Sequence, residues 1–193
     1  PLLRALDALE GRALKLLKLF GRRGIRSVRM TVGAEQEFFL LDRPRAQGRP
    51  DIRFCGRTLI GAQPAKDQKL DHHYLGAIPP RILSYMEDVE RDLARLGISI
   101  ATRHNEVARC QFEFAPLFSD ANPACDQNQI LMETMRKLAR QHDLRLLFHE
   151  KPFHGMNGSG KHVNLSLMDS EGRNLLTPSS GQRRNVVFLS FLA

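Results

Sequence analysis

GAEQEFFLLD, residues 33–42, decides how the rest of the chain is read. Phe38, Phe39, Leu40 and Leu41 form an unbroken apolar run, which fits a strand buried on both faces. Glu35 and Glu37 stand at its entrance, and side chains two apart on a strand point the same way. The two carboxylates therefore lie side by side next to apolar surface, with no Lys or Arg between them. Buried and unpaired they would be costly. Either water or a cation must reach them.

Working outward, Leu2, Leu6, Leu9, Ala13, Leu16 and Phe20 step by fours and threes and predict an amphipathic helix over 2–20, stopped by Gly21. The strand itself runs from about Ser27 to Leu41. Residues 43–80 are rich in Pro, Gly and charge, lack clear periodicity, and read as a long loop or small insertion. Pro79 and Pro80 open a second helix whose buried stripe is Ile82, Met86, Val89, Leu93 and Leu96, ended by Gly97. Residues 98–103 and 111–118 read as strands. A third helix, capped by Asp120 or Asn122, carries the stripe Ala124, Asn128, Leu131, Met135, Leu138 and His142. LRLLFH (144–149) is a short buried strand, HVNLSL (162–167) alternates strictly, and the tail VVFLSFL is strand-like. Strands separated by helices without regular βαβ spacing give an α+β class, with helices packed on one sheet.

The bulk numbers narrow the function. The 193 residues suffice for one sizeable domain, and no apolar run approaches the roughly 20 residues of a membrane helix. The start has helical periodicity and acidic residues, unlike a signal peptide. Opening on Pro1 and ending in an apolar run, the chain reads as a fragment. Cys55, Cys110 and Cys125 show no metal or disulfide spacing, which favours a reducing, cytosolic setting. A net charge of +8 suggests affinity for anions, but Arg and Lys are spread along the whole chain. No basic stripe interleaves with aromatics, which weakens a nucleic-acid reading. A basic module binding nucleic acid or another anion stands as the non-catalytic alternative.

Two further stretches carry chemistry. RHNEVARCQFEF (103–114) holds Glu106 and Glu113, whose odd separation puts them on opposite faces of one regular strand. To serve one site the chain must bulge or turn between them. The plain alternative is an exposed Glu106 and a Glu113 paired with a nearby Arg. GMNGSGKH (155–162) comes within one residue of a phosphate loop, but His162 replaces the Ser or Thr that holds magnesium, and VNLSLM has the period of a strand rather than a helix. In HVNLSL, Val163, Leu165 and Leu167 face a core while His162, Asn164 and Ser166 face the other way. Asn157, Gly158 and Gly160 precede them and let a backbone approach a ligand closely. Carboxylates with one imidazole suit magnesium or manganese. Two such ions would orient phosphate oxygens and offset their charge.

On GAEQEFFLLD, CGRTLIGAQPAKDQKLDHHYLGAI, RHNEVARCQFEFAP and HEKPFHGMNGSGKHVNLSL the chain resembles glutamine synthetase, specifically the long type III form. The resemblance implies a partial catalytic domain over residues 1–193, built on a largely antiparallel sheet with flanking helices. It implies that Glu37, Glu106 and Glu113 hold one metal, with Glu106 and Glu113 serving catalysis, and that Glu35 and His162 are ligands of a second metal. Asn157, Gly158 and His162 fall where the family binds substrate glutamate; Asn164 and Ser166 fall on the strand lining the nucleotide pocket. The implied reaction is ATP-dependent ligation of ammonia to L-glutamate through γ-glutamyl phosphate, with two or more Mg2+ or Mn2+ ions, in a cytoplasmic homo-oligomer, a dodecamer by family expectation. A related γ-glutamyl ligase using an amine is the runner-up. Arg109 stands where the family usually has Pro and Leu165 where type III usually has Trp. The family's remaining metal-site glutamate and its downstream arginines lie further along than this chain, so the fragment alone is expected to be inactive.

Overall fold

The computed structural model describes residues 1–62, 68, 72–178 and 185–193. Its elements are α1 (Leu2–Leu19), β1 (Val28–Asp42), α2 (Arg43–Gln47), α3 (Pro50–Cys55), α4 (Pro80–Arg95), β2 (Ile100–Asn105), β3 (Gln111–Pro116), β4 (Ser119–Asp120), α5 (Ala121–Gln141), β5 (Leu144–Leu147), β6 (Lys161–Asp169) and α6 (Val186–Leu192). β1 is the organising strand. It pairs antiparallel with β3, β4 and β5, while β2 pairs antiparallel with β3, and β6 also pairs with β1. This is the expected α+β class with a largely antiparallel sheet and flanking helices.

Contacts divide the chain into two compact units, one of Ala34–Leu117 with Gln127–Val163, the other of Pro1–Gly33, Phe118–Asp126 and Asn164–Ala193. In the first, alternation along β1 sorts the side chains. Phe38 and Leu40 enter a core with Phe112 and Phe114 of β3, Tyr85, Met86, Val89 and Leu93 of α4, and Leu131, Met135 and Leu138 of α5. Phe39, on the other face, enters a second cluster with Ala46, Ile52, Ala108, Leu147 and Met156. The apolar run is thus buried on both faces, by two different cores. Glu35 and Glu37 share the parity of Phe39, so they lie on the face opposite α4 and α5. α4 begins on Pro80 and ends where Gly97 takes φ +76°, its N–H and that of Ile98 closing the carbonyls of Ala94 and Leu93. In the second unit, Ala13, Leu17, Ile25, Val28, Leu167 and Leu175 form the larger core.

Four expectations change. Residues 43–80 are not one long loop: Asp42 caps α2 by accepting from the Arg45 N–H, and α3 starts on Pro50 and stops at Gly56 with φ +70°. Helices of five and six residues are too short to show a 3.6-residue period. Residues 63–67 and 69–71 of that stretch lie outside the described residues. The tail VVFLSFL is a helix, capped by the Asn185 side chain accepting from the Phe188 N–H, because a short apolar run carries no period that separates strand from helix. Leu96 lies past the last turn of α4 and is exposed. Of the alternating trio on β6, only Leu167 reaches a core; Val163 and Leu165 are 54% and 52% exposed, because the cluster covers only the far end of the strand.

Candidate metal centre

Strand register builds the site. Glu37 of β1 lies opposite Glu113 of β3, and Glu113 lies opposite His104 of β2. Directly opposed residues on paired strands project from one face, so the three side chains form a row across the sheet. Glu35 sits two positions before Glu37 on the same face. Between β2 and β3 the chain reverses at Glu106–Cys110: the Glu106 N–H donates to the Gln111 carbonyl at 2.9 Å, and Cys110 takes φ +61°. That turn brings Glu106 back beside Glu113. The odd spacing of the two glutamates is resolved by a hairpin, one of the two solutions the sequence allowed.

The His162 ring at the start of β6 reaches the same place. Its Nδ1 is 2.8 Å from Glu35 Oε2 and 3.7 Å from Glu37 Oε1. His104 Nε2 is 3.0 Å from Glu113 Oε1 and its Nδ1 is 3.5 Å from Glu106 Oε1. Two sets of donor atoms each fall within 4.8 Å of one another: Glu35, Glu113 and His162, and His104, Glu106 and Glu113. Glu113 belongs to both. The structure therefore brings together Glu35, Glu37, Glu106, Glu113 and His162, and all lie within one compact unit. Glu106 is not an exposed loop residue, its side chain being 13% exposed, and Glu113 meets His104 rather than an Arg.

Gln111 and the glycine loop fix one wall. Gln111 is 1% exposed; its amide donates to Glu37 Oε2 at 3.0 Å and to the Gly158 carbonyl at 2.9 Å, while its Oε1 accepts from the Ala108 N–H. The Gly160 N–H donates to the same Glu37 oxygen at 2.8 Å. One oxygen of Glu37 is thereby held and the other is left toward His162. The Asn157 N–H donates to Gln68 Oε1. A Cβ on Gly158 would stand 2.1 Å from the Glu150 carbonyl oxygen, a backbone atom that cannot swing aside. Gly158→Ala is expected to displace the loop and cost about 1–3 kcal/mol, the range for overpacking a filled site. Urea unfolding measures it. A change below about 0.5 kcal/mol would mean the loop has room to spare.

The electrostatics follow from crowding. Burial, then the neighbouring Glu37 charge, raises Glu106 above the usual glutamate range; burial likewise raises Glu113, with Glu106, Glu35 and Glu37 adding to it against the opposing His104. The hydrogen bond to Glu35 raises His162. Burial pulls His104 down, but the Asn105 carbonyl and the charges of Glu113 and Glu106 outweigh it, and its pKa is raised. All four groups hold protons more tightly folded than unfolded. The histidines contribute stability below their unfolded pKa of about 6.5 that is lost as pH rises through the raised value. The glutamates, raised as well, disfavour the folded state as pH climbs above about 4.3, so they act in the same direction. In chelator, the melting temperature should be higher at pH 6 than at pH 8. A flat profile between those pH values would contradict the crowding.

The remaining candidates separate. Asn164 and Ser166 lie in the second unit, where with Thr31, Gly33, Phe118, Leu165, Met168 and Asn174 they line a cavity of about 240 Å3. Ser166 Oγ donates to Asn174 Oδ1 at 2.5 Å. The stretch after Lys161 is strand, which removes the phosphate-loop reading. Arg109 is exposed and lines a different small cavity, with Gln68, His72, His73 and Val107. Sequence reading missed His104 and Gln111; a four-residue reversal after Glu106 pairs 104 with 113, so the signal was in the hairpin register. Asn105, 2% exposed, was missed as well. It donates to the carbonyls of His73, Gly76 and Ala77 and so ties the HHYLG stretch to β2.

The sequence model of the glutamine synthetase catalytic domain matches residues 11–193. Glutamine synthetase of Bacteroides fragilis (strain YCH46) is 48% identical over 192 residues, all of this chain but 26% of the relative. Type-3 glutamine synthetase of Dictyostelium discoideum is 45% identical over 192 residues, again 26% of its own length. The chain thus spans about a quarter of the curated relatives it matches. Among solved structures, a GmaS/ADP complex aligns with a TM-score of 0.62 at 26% identity, covering 88% of this chain and 36% of that one. Glutamine synthetase of Plasmodium falciparum aligns at 0.59 and 19% identity, over 87% of this chain and 34% of that one, a likeness of fold.

Proposed function

Since the chain belongs to the glutamine synthetase family and matches its catalytic domain, we propose that it is part of an ATP-dependent ligase joining ammonia to L-glutamate. The observation that carries the proposal is the convergence of Glu35, Glu37, Glu106, Glu113 and His162 on one face of the sheet. Like charges set opposite each other on paired strands destabilise a sheet. A cluster that endures this fits a cation. Oxygen donors with an imidazole suit Mg2+ or Mn2+, and two donor sets sharing Glu113 suit more than one ion. Glu37, Glu106 and Glu113, with His104 alongside, would hold one ion, and Glu35, His162 and Glu113 another. Bound there, such ions would supply charge neutralisation for phosphate oxygens.

The chain's own residues supply positioning and proton handling. The γ-carboxylate of glutamate attacks the γ-phosphorus of ATP, ADP leaves, and an acyl phosphate forms. Ammonia then attacks the acyl carbon and phosphate leaves. The clustered carboxylates of Glu106 and Glu113 would attract ammonium and stand close enough to take the proton it must lose. Asn157 and Gly158, on the loop that Gln111 fixes, are assigned to the glutamate side. Asn164 and Ser166 are assigned to the nucleotide by the family resemblance, and they line a cavity of about 240 Å3. The solved relative described as an ADP complex supports that nucleotide. No described helix is long and apolar enough to cross a membrane. A cytoplasmic homo-oligomer, a dodecamer, is proposed for the whole protein on family membership alone.

The full-length protein that contains this chain, rather than the chain alone, is tested with ATP, L-glutamate and Mg2+. Glutamine and inorganic phosphate should appear one for one when ammonium is added. Product with methylamine but not ammonium would favour the amine ligase. Neither product would remove the ligase reading.

A further inference from the structure

Arg43 follows directly on β1, six positions beyond Glu37, and there a separate cavity of about 460 Å3 opens. Its walls are Arg43, Arg53, Arg140 and Arg145, with Ala46, Gln47 and Leu144 between them. Among the described residues, no acidic side chain lines it. Neighbouring arginines do find acids: Arg49 meets Asp51 at 2.6 Å and Arg81 meets Asp42 at 3.1 Å. Asp42 is further occupied by the Arg45 N–H. Among the described residues, none of the four cavity arginines pairs with a carboxylate.

These guanidiniums are also placed. Arg43 Nη1 donates to the Arg140 carbonyl and Arg145 Nη2 to the Arg53 carbonyl, each at 3.3 Å, which ties opposite walls together. Arg53 stacks over the Phe54 ring at 5.2 Å. Arg140, in the last turn of α5, complements the helix dipole, but that accounts for one charge of the four. The rest gather against mutual repulsion. Like charges around a concavity with low-dielectric walls focus the potential inside it. The volume falls in the range of small-molecule sites, about 300–1,000 Å3. Guanidinium forks match phosphate oxygens two at a time.

We propose that this arginine cavity binds a multiply charged phosphate, the run of adjacent phosphate groups carried by a nucleoside polyphosphate or a free oligophosphate. A single monoanion leaves most of the wall charge unmet; linked phosphates present several charges and oxygens in several directions at once. The site lies beyond the carboxylate centre and is independent of the ligase reading.

The test uses the whole protein in chelator at about 0.15 M salt, where diffuse surface attraction is screened within roughly 8 Å. Calorimetry with tripolyphosphate should give one site per chain. Arg53→Gln with Arg145→Gln should weaken it at least about tenfold per guanidinium removed, the cost of a lost charge-assisted bond. Arg4→Gln with Arg12→Gln, exposed on α1 and equal in charge change, should leave it intact. ADP and tripolyphosphate compared on the cavity variant separate the two sources: the ligand whose affinity falls is the one the cavity takes. Citrate binding as tightly as tripolyphosphate, equal loss in the α1 variant, or unchanged affinity of both phosphates in the cavity variant would each overturn the proposal.

Discussion

Replacing Glu113 by alanine in the full-length parent should lower glutamine formation by at least about 10²–10³-fold, the scale for removing one electrostatic stabiliser of a transition state. Among the described residues, no other belongs to both donor sets. Its loss takes an oxygen from each and leaves the His104 ring without its 3.0 Å partner. The fold should persist, because a crowded acid is being removed and the apolar core on the opposite face, with Phe112 and Phe114, is untouched. The melting temperature in chelator should therefore stay the same or rise, while the stabilisation added by Mn2+ disappears. Activity within tenfold of the parent would take Glu113 out of the site. A fall in both activity and metal-free stability would recast it as a structural residue.

Phe38→Ala should destabilise the protein by about 3–5 kcal/mol, against a total that is typically about 5–15 kcal/mol. Phe38 is fully buried, stacks on Phe114 with ring centres 5.6 Å apart and meets Phe112 at 6.2 Å. These contacts join β1 and β3 to α4 and α5, so the cavity cannot collapse without moving two helices. Urea unfolding gives the number. Val163→Ala on exposed β6 serves as the contrast and should stay within about 0.5 kcal/mol. A Phe38→Ala cost below about 1.5 kcal/mol would mean that this core is loosely packed.

The two predictions divide one strand by parity, and parity was legible. Alternation in GAEQEFFLLD separated Glu35 and Glu37 from Phe38 and Leu40 before any partner strand was known. α4 was readable because its sixteen residues give several turns of apolar stripe between Pro80 and Gly97. α2, α3 and α6 were not, because five to seven residues give too few turns for a period to emerge. Val163 and Leu165 show a different limit. Alternation tells which side chains share a face, but whether a face is covered depends on elements distant in the chain.

Readable in the sequence were five of the six side chains whose donors suit a cation, His104 being the exception, the strand face of the first pair, and the need for a bulge or a turn before Glu106 and Glu113 could meet. Those properties are local, set by side-chain chemistry and the two-residue repeat of a strand. Long-range packing set Glu37, Glu113 and His104 in one row and closed the His162 ring on Glu35 across 127 positions of chain. It likewise decided that four scattered arginines wall one cavity. Register and closure come from packing the phenylalanines on the opposite face, a long-range balance that no short stretch contains.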